Sequence, residues 1–243
     1  VEATIPEGTT SDPLGIAMGA LSKSGSNQSI AIGYLSEAKG TNAASGGGNP
    51  GTAVGAGAKS IGAGTSAYGL SAYATADYAT AIGKSANAAA INSIAIGKDS
   101  QSSAINAIAA GQASNASAVS AIVIGTQAKG THENSVTLGS YSSSADNNFD
   151  QTAKALSSFD DKATGTTVNY NGTSSTQKGA VSVGDGTLVR QIQNVGAGRI
   201  TATSNDAVNG SQLYQAYYNA GFNIQNNGTE TSRINTHGKV NFV

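Results

Sequence analysis

Few side chains in this 243-residue chain have types and spacing that suit catalysis. The two histidines, His132 and His237, are far apart and have no partner at motif spacing. The acids at 160–161, and Glu7 with Asp12, would suit acid–base or metal chemistry. Solvated loop acids are a commoner origin of such pairs. No catalytic constellation emerges, and a turn position accounts for His132, which stands where other repeats have Ala or Gly.

Two glycine-rich stretches have the composition of phosphate-binding loops without their context. Neither GGGN (46–49) nor GDG (184–186) shows the strand–loop–helix pattern with a lysine that phosphate binding needs. The chain has no cysteine, which excludes disulfides, Cys-ligated metals and thiol catalysis. We therefore predict a protein that is not an enzyme and uses no cofactor or metal.

The composition is unusual for a single globular core. The chain has 32 glycines, no tryptophan and only 11% charged residues, so each residue buries little apolar area and burial between subunits is expected. The net charge is −1 and the charges are scattered, which gives no case for nucleic acid binding. No apolar run is long enough for a membrane-spanning helix. The chain has no signal peptide at its start and no evident boundary at its end, which suggests a piece of a longer protein.

A glycine closes a short apolar run every fourteen residues along most of the chain, as in SIAIG (29–33), SIAIG (93–97) and AIVIG (121–125). One spacing of 22 residues is a fourteen-residue period plus eight. A strict period of this length predicts stacked, near-identical coils. The closing glycines are Gly19, Gly33, Gly55, Gly69, Gly83, Gly97, Gly111, Gly125 and Gly139.

The unit 93–106 shows how one coil is expected to fold. Ile94 and Ile96 alternate with Ala95, which is the period of a strand, and small residues recur three, five and seven positions after the glycine. These patterns predict two strands per coil, with large side chains of one strand facing small ones of the other across a narrow interior. The opposite parity predicts a second buried surface, between subunits, formed by Ala81, Ala95, Ala109, Ile91, Ile105 and Val119.

Two interruptions break the period. The stretch 43–50 supplies the eight extra residues and is expected to form a surface loop. After Gly139 the next comparable run ends at Gly184, 45 residues later, which leaves an insertion of 31 residues at roughly 146–177. The segment 149–161 has the spacing of a short helix. Insertions often carry specificity, so Phe149 and Phe159 are candidate recognition residues, although an extended loop without a ligand is an equal alternative.

The sequence changes character after the insertion. The stretches AVSVG (180–184), RQIQNVGAG (190–198) and DAVNGSQLY (206–214) resemble the neck of trimeric autotransporter adhesins. In that family the neck follows a head of S-V/I-A-I-G repeats, as it does here. The resemblance covers about 15–220.

The resemblance implies an all-β, left-handed parallel β-roll with a 14-residue repeat that forms a homotrimer, followed by a neck and a short helical, coiled-coil segment. It also implies display on the surface of a Gram-negative bacterium, with a membrane anchor outside this chain. Such heads bind collagen, fibronectin or laminin, host cells, or one another. The expected neck and trimer residues are Arg190, Gln191, Asn194, Asp206, Val208, Asn209 and Leu213.

The neck residues also suit a short helix on their own chemistry. Ser204, Asn205 and Asp206 are good N-cap types, and Arg190 is a candidate partner for Asp206 across subunits. The apolar stripe expected on this helix is Val208, Leu213, Tyr217 and Ala220. The chain is thus expected to divide into a leader (1–14), a head (15–145), an insertion (146–178), a final coil with neck (179–214), and a short helix that opens a further module (215–243).

Three tyrosines that cluster around one or two coils are further recognition candidates: Tyr68, Tyr73 and Tyr78. A core position is the alternative for Tyr68. The leading hypothesis is an adhesin head that acts by multivalent protein contacts; the alternative is a passive spacer that projects another binding domain. An acyltransferase β-helix would need a six-residue period. An ice-binding array would need outward threonines where the chain has Asn87, Gln101, Asn115 and Lys129.

Overall fold

The computed structural model describes residues 15–26, 28–40, 49–144, 158–161, 166–169, 179–226 and 229–235. The chain separates into two compact units, 1–152 with 176–190, and 153–175 with 191–243.

The first unit is a parallel β-roll built from fourteen-residue coils. Its larger sheet has ten short parallel strands in which each strand pairs with its counterpart one coil away, so that Ile94 pairs with Ile108 and Ile108 with Ile122. The fold class predicted from the period is thereby confirmed as an all-β parallel solenoid. The ten strands are β1 (Ile16–Met18), β3 (Ile30–Ile32), β5 (Thr52–Val54), β7 (Ser66–Tyr68), β9 (Thr80–Ile82), β11 (Ile94–Ile96), β13 (Ile108–Ala110), β15 (Ile122–Ile124), β17 (Val136–Leu138) and β20 (Val181–Ser182).

The smaller sheet forms the other side of each coil. Its eight strands are two residues long and pair in the same fourteen-residue register, as in Asn87 with Gln101. They are β2 (Lys23–Ser24), β4 (Glu37–Ala38), β6 (Lys59–Ser60), β8 (Tyr73–Ala74), β10 (Asn87–Ala88), β12 (Gln101–Ser102), β14 (Asn115–Ala116) and β16 (Lys129–Gly130).

Two tight turns close each coil. The residue two positions after the glycine and the residue nine positions after it both adopt the left-handed conformation, as Asp99 (φ 58°) and Asn106 (φ 57°) do. Asn and Asp tolerate this conformation better than most residues. We call the first turn the glycine corner and the second the far corner. Because they lie seven residues apart, each coil consists of two half-coils of equal length.

The interior of the roll is lined by alanine and serine. Ala81, Ala95 and Ala109 have no exposed surface, and neither does Ser102, whose hydroxyl donates to the carbonyl of Ala107 across the coil at 2.8 Å. The prediction that large residues of one strand point inward is wrong, and Ala81, Ala95 and Ala109 do not belong to a second surface. A single hydroxymethyl group spans this interior, so only small side chains fit between the sheets and the isoleucines point outward.

The closing glycines stack at the glycine corner with almost no space between coils. Gly97 has φ 122°, and a β-carbon built on it would lie 2.6 Å from the carbonyl oxygen of Gly111. Any side chain there would strain the backbone and displace the next coil. Gly33, Gly69, Gly83, Gly111 and Gly125 stand in the same way against the following coil.

Both interruptions of the period leave the roll at the far corner. β3 pairs directly with β5 although the chain between them is eight residues longer than one coil, and β17 pairs directly with β20 across the larger insertion. The chain departs after β4 in the first case and after the isolated bridge of Ser143 with Lys129 in the second, and each time it returns before a strand of the larger sheet. The loop residues 41–48 lie outside the described residues.

The described residues of the second unit form two antiparallel strand pairs and one helix. The strand pairs join β18 (Ser158–Asp161) with β19 (Thr166–Asn169), and β21 (Gly221–Asn226) with β22 (Thr229–Asn235). The helix α1 spans Gly210–Asn219. Phe159 therefore lies in a strand, so the helix predicted over 149–161 is wrong at 158–161; Phe149 lies outside the described residues.

Candidate interaction surfaces

The outer face of the larger sheet carries two columns of side chains, one and three positions before each closing glycine. The column next to the glycine is apolar in every coil, and seven of its members expose 36–57% of their surface. Strand register places these side chains directly above one another, so they form one continuous face. Large exposed apolar patches mark interaction sites rather than ordinary solvated surface. The seven are Met18, Ile32, Tyr68, Ile82, Ile96, Ile124 and Leu138.

The outer face of the smaller sheet is polar by contrast. Its central column runs through Lys59, Tyr73, Asn87, Gln101 and Asn115, each paired in register with the next. The ammonium of Lys59 lies 5.8 Å from the ring centroid of Tyr73, at cation–π distance. The two faces of the roll thus differ in chemistry along the described coils.

The three candidate tyrosines lie on three different surfaces. Tyr68 is on the outer face of the larger sheet and 40% exposed, so it is not a core residue. Tyr73 is on the outer face of the smaller sheet, and Tyr78 is at the far corner, where Asn49 approaches its hydroxyl at 3.5 Å. They do not form a single site.

A short apolar row lies at the far corner. Ile91, Ile105 and Val119 are 40–46% exposed, one above the other, while Asp77 and Glu133 hold the corresponding positions in the flanking coils. The neighbouring Asn92 and Asn106 of this corner are joined side chain to side chain at 3.1 Å. The predicted subunit contact of this row remains a prediction.

Arg190, a member of the predicted neck set, donates three side-chain hydrogen bonds. Its Nη1 donates to Ser142 Oγ at 2.8 Å and to the Val183 carbonyl at 2.6 Å, and its Nη2 donates to the Ser140 carbonyl at 2.5 Å. Arg190 therefore contacts the last coil of its own chain. Two further members of the set follow it: Gln191 accepts from Gln193 Nε2 at 3.3 Å, and Asn194 has a left-handed backbone.

Asp206 pairs with Arg199 within the chain. Arg199 Nε lies 2.8 Å from Asp206 Oδ2 and Nη2 lies 3.2 Å from Oδ1, so both carboxylate oxygens are engaged. The guanidinium and backbone N–H of Arg199 lower the pKa of the Asp206 carboxyl, and the carboxylate in turn raises the pKa of Arg199. The pKa of the Asp185 carboxyl is also lowered, chiefly by the hydrogen bond from the Leu188 N–H and then by the hydrogen bonds from Thr187.

The helix N-cap is Asn209 rather than Ser204, Asn205 or Asp206. Asn209 Oδ1 accepts from the Gln212 N–H at 3.1 Å while Gln212 Oε1 accepts from the Asn209 N–H at 3.2 Å, which is a complete capping box. The same two side chains also bond to earlier residues of the neck. Asn209 Nδ2 donates to the Val195 carbonyl, and Gln212 both accepts from the Gly198 N–H and donates to the Gly198 carbonyl. The sequence reading missed Gln212, although Asn followed by Gln three residues later is a capping-box signal.

The apolar residues of the neck are exposed in the single chain. Val208 and Leu213, both in the predicted set, expose 57% and 66% of their surface. No helix residue of α1 is buried, and its tyrosines Tyr214 and Tyr218 stack with ring centroids 6.1 Å apart.

The described residues contain no group of three or more His, Cys, Asp or Glu placed to hold a metal ion. His132 is buried at the far corner, with its Nδ1 against the Ser144 carbonyl. Within that same part of the chain, no helix combines the length and apolar character needed to cross a bilayer.

Comparison with known proteins relates the second unit to one family. The model of the coiled stalk of trimeric autotransporter adhesins matches residues 191–236. A curated relative, the autotransporter adhesin BtaE of Brucella suis, is 46% identical over 56 residues, which is 22% of this chain and 8% of the relative. The chain thus spans less than a tenth of that relative's length.

Two solved structures align with parts of this chain. The C-terminal YadA-like domain of a Burkholderia pseudomallei protein has a TM-score of 0.37 at 35% identity, over 45% of this chain and 48% of that one. The collagen-binding domain of the Yersinia adhesin YadA has a TM-score of 0.47 at 21% identity, over 78% of this chain and 83% of that one. The stalk match and the Brucella relative agree with the neck motifs of the sequence, and this chain is therefore similar in part to trimeric autotransporter adhesins.

Proposed function

We propose that the chain is the head and neck of a surface-exposed adhesin, which assembles as a homotrimer and attaches a Gram-negative bacterium to host matrix, to host cells or to other bacteria. The observation that carries this proposal is the apolar outer face of the larger sheet, which continues along the roll and has no cover in the single chain. The stalk-model match over 191–236 and the Brucella adhesin relative support the same assignment.

The free energy of burying this apolar face is large enough to favour association. Fully burying a side chain of the size of Ile or Leu contributes about 1.5–3 kcal/mol, so covering seven half-exposed ones contributes roughly 7 kcal/mol per subunit. Association costs about 4–15 kcal/mol in lost freedom. The free energy gained by burying this face is therefore comparable to the free-energy cost of association.

The neck supplies the rest of the proposed interface. Val189, Ile192 and Ile200 expose 84%, 69% and 75% of their surface in a segment without helix or strand. A segment of this kind folds stably only when other surface covers it. We infer that neighbouring subunits cover it, together with Val208 and Leu213 of the predicted set.

If the larger sheet faces the trimer axis, adhesion falls to the surfaces that point away from it. These are the polar face of the smaller sheet with Tyr73 and the far corner with Tyr78. The insertion at 146–177 is a separate candidate, taken from the sequence. Three copies of a weak site on one rigid trimer raise the overall affinity through effective concentration.

The assembly is tested by charging the apolar face. Ile96→Glu places a carboxylate in the centre of the proposed interface, and Gln101→Glu places the same charge on the opposite face of the same coil as a matched control. Light scattering should show a trimer for the wild type and Gln101→Glu, and loss of the trimer for Ile96→Glu. A trimer that persists in Ile96→Glu contradicts the proposed interface.

Adhesion is tested separately, with fragments that remain trimeric. Binding to collagen, fibronectin, laminin and host cells is compared for the wild type, a variant lacking 146–177, and Tyr73→Ala with Tyr78→Ala. Loss of binding in a variant locates the site. A wild-type trimer that binds none of these and does not agglutinate cells would instead support the passive spacer.

A further inference from the structure

One backbone ladder runs along the whole glycine corner. In each coil the N–H two positions after the closing glycine donates to the carbonyl one position after the glycine of the preceding coil. Asp99 donates to Lys84 in this way, and Tyr141 donates to Thr126, both at 2.8 Å. By the same rule the next acceptor is the carbonyl of Ser140.

The chain does not supply the next donor of this ladder. β20 begins a tenth coil, but the chain turns away after Gly184, where Asp185 N–H donates to the Leu188 carbonyl at 2.9 Å. The backbone of 185–188 therefore forms its own turn instead of continuing the glycine corner. An end left in this state would expose an open acceptor and the edge of the last coil.

The guanidinium of Arg190 occupies the place of the absent corner. Its Nη2 donates to Ser140 O at 2.5 Å, as the N–H of another coil would. A β-carbon built on Gly139 would lie 2.9 Å from the guanidinium carbon of Arg190, whereas in the inner coils the following glycine is the nearest neighbour, as Gly111 is for Gly97. One side chain thus replaces both the donor and the packing of a further coil.

The second arm of the guanidinium joins the last coil to the chain that leaves it. Nη1 donates both to Ser142 Oγ in the last coil and to the carbonyl of Val183, directly after β20. The Ser143 N–H in turn donates to Gly184 at 2.7 Å, so the departing chain is held on both sides. Arginine suits this bridge because its planar fork presents several donors and no acceptor.

We propose that Arg190 is the terminal cap of the β-roll, a positioning residue that ends the stack and fixes the point where the neck begins. The cap acts within one chain, so it holds whether or not the protein binds a host ligand. Arg190→Lys keeps the charge but offers a single nitrogen in place of the fork, and Arg190→Ala removes the cap.

Amide hydrogen exchange on the complete, assembled chain tests the cap. In Arg190→Ala the amides of Tyr141 and Ser143 should exchange at least about ten-fold faster than in the wild type, because the last coil opens locally. The amides of Gly83 and Gly97, several coils away, should keep their rates. Arg190→Lys should fall between the two.

Arg199→Ala is the matched control, because it removes a neck arginine that pairs with Asp206 and has no contact in the ladder. Wild-type exchange at Tyr141 and Ser143 in Arg190→Ala overturns the proposal, and so does equal acceleration by Arg199→Ala. Should Arg190→Ala fail to fold, Ser142→Ala removes one acceptor of the fork. It should accelerate Ser143 about two- to three-fold, and unchanged exchange there overturns the proposal.

Discussion

Val123 and Gly130 face each other across the interior of one coil, and a β-carbon built on Gly130 would lie 2.4 Å from Val123 Cγ2. The neighbouring coil has Ala109 and Ala116 at these positions, both fully buried. Val123 is the largest fully buried side chain among the described residues. The larger residue is accommodated because the opposite one has no side chain.

This compensation predicts the outcome of a double-mutant cycle. Gly130→Ala should lower the free energy of unfolding by about 1–3 kcal/mol through overpacking, and Val123→Ala should lower it by about 1–3 kcal/mol through the cavity it leaves. The double variant recreates the Ala–Ala pair of the adjacent coil and should lie close to the wild type. Urea unfolding measures all four proteins, and simple additivity of the two losses would contradict the compensation.

The glycine corner predicts a sharp difference between two glycines with positive φ. Gly97→Ala should cost about 3 kcal/mol or more, since its β-carbon would lie 2.6 Å from the Gly111 carbonyl. Gly57 is the matched control: it has φ 66°, and its β-carbon would meet only Ser71, with Oγ at 3.4 Å and Cα at 4.0 Å. Gly57→Asn should therefore leave the thermal midpoint nearly unchanged, and a similar loss for both variants would count against the stacking argument.

The capping box predicts a graded effect on the neck. Asn209→Ala removes the acceptor for the Gln212 N–H and should destabilise the helix by about 1 kcal/mol, while Asn209→Ser keeps a capping oxygen and should lose less. Helical circular dichroism of the neck and its unfolding by urea measure the difference. Equal stability of the wild type and Asn209→Ala would show that the cap does not stabilise the helix.

Asp206 predicts a dependence of neck stability on pH. Its pKa is lowered in the folded state by Arg199, so the pair stabilises the fold above the pKa of an unfolded Asp, about 3.9, and this contribution is lost as the pH falls through the lower folded value. Stability of the neck should therefore fall below about pH 4. Asp206→Asn and Arg199→Ala should both flatten this part of the profile, and an unchanged profile in both would exclude the pair as its origin. Because the pair is exposed, added salt should weaken the effect.

Several features of the fold follow from the sequence because they depend on spacing alone. The fourteen-residue register, the direct pairing of β17 with β20 and the departure of the eight-residue loop are all set by the phase of the glycines. The resemblance of the neck motifs to trimeric autotransporter adhesins likewise depends on the residues alone.

The directions in which side chains point were harder to predict. In a globular core the larger apolar residue points inward, and that assumption put Ile94 and Ile96 inside. The roll reverses it because its interior is one small side chain across, as Ser102 shows. The observed N-cap, Asn209, lies three positions after the predicted Asp206. Asp206 has a suitable side chain for a cap, but it pairs with Arg199 instead.

The unequal corners of the coil also limit how such a rod can change. At the glycine corner each backbone lies within contact distance of the next, so an added residue has nowhere to go. At the far corner both existing interruptions enter and leave without disturbing the register of the sheets. Whole coils of fourteen residues can be added or removed to change the reach in steps of about 4.8 Å, whereas a change of seven would exchange the apolar and polar faces. Length is thus adjustable in the stack, and new loops are confined to a single edge.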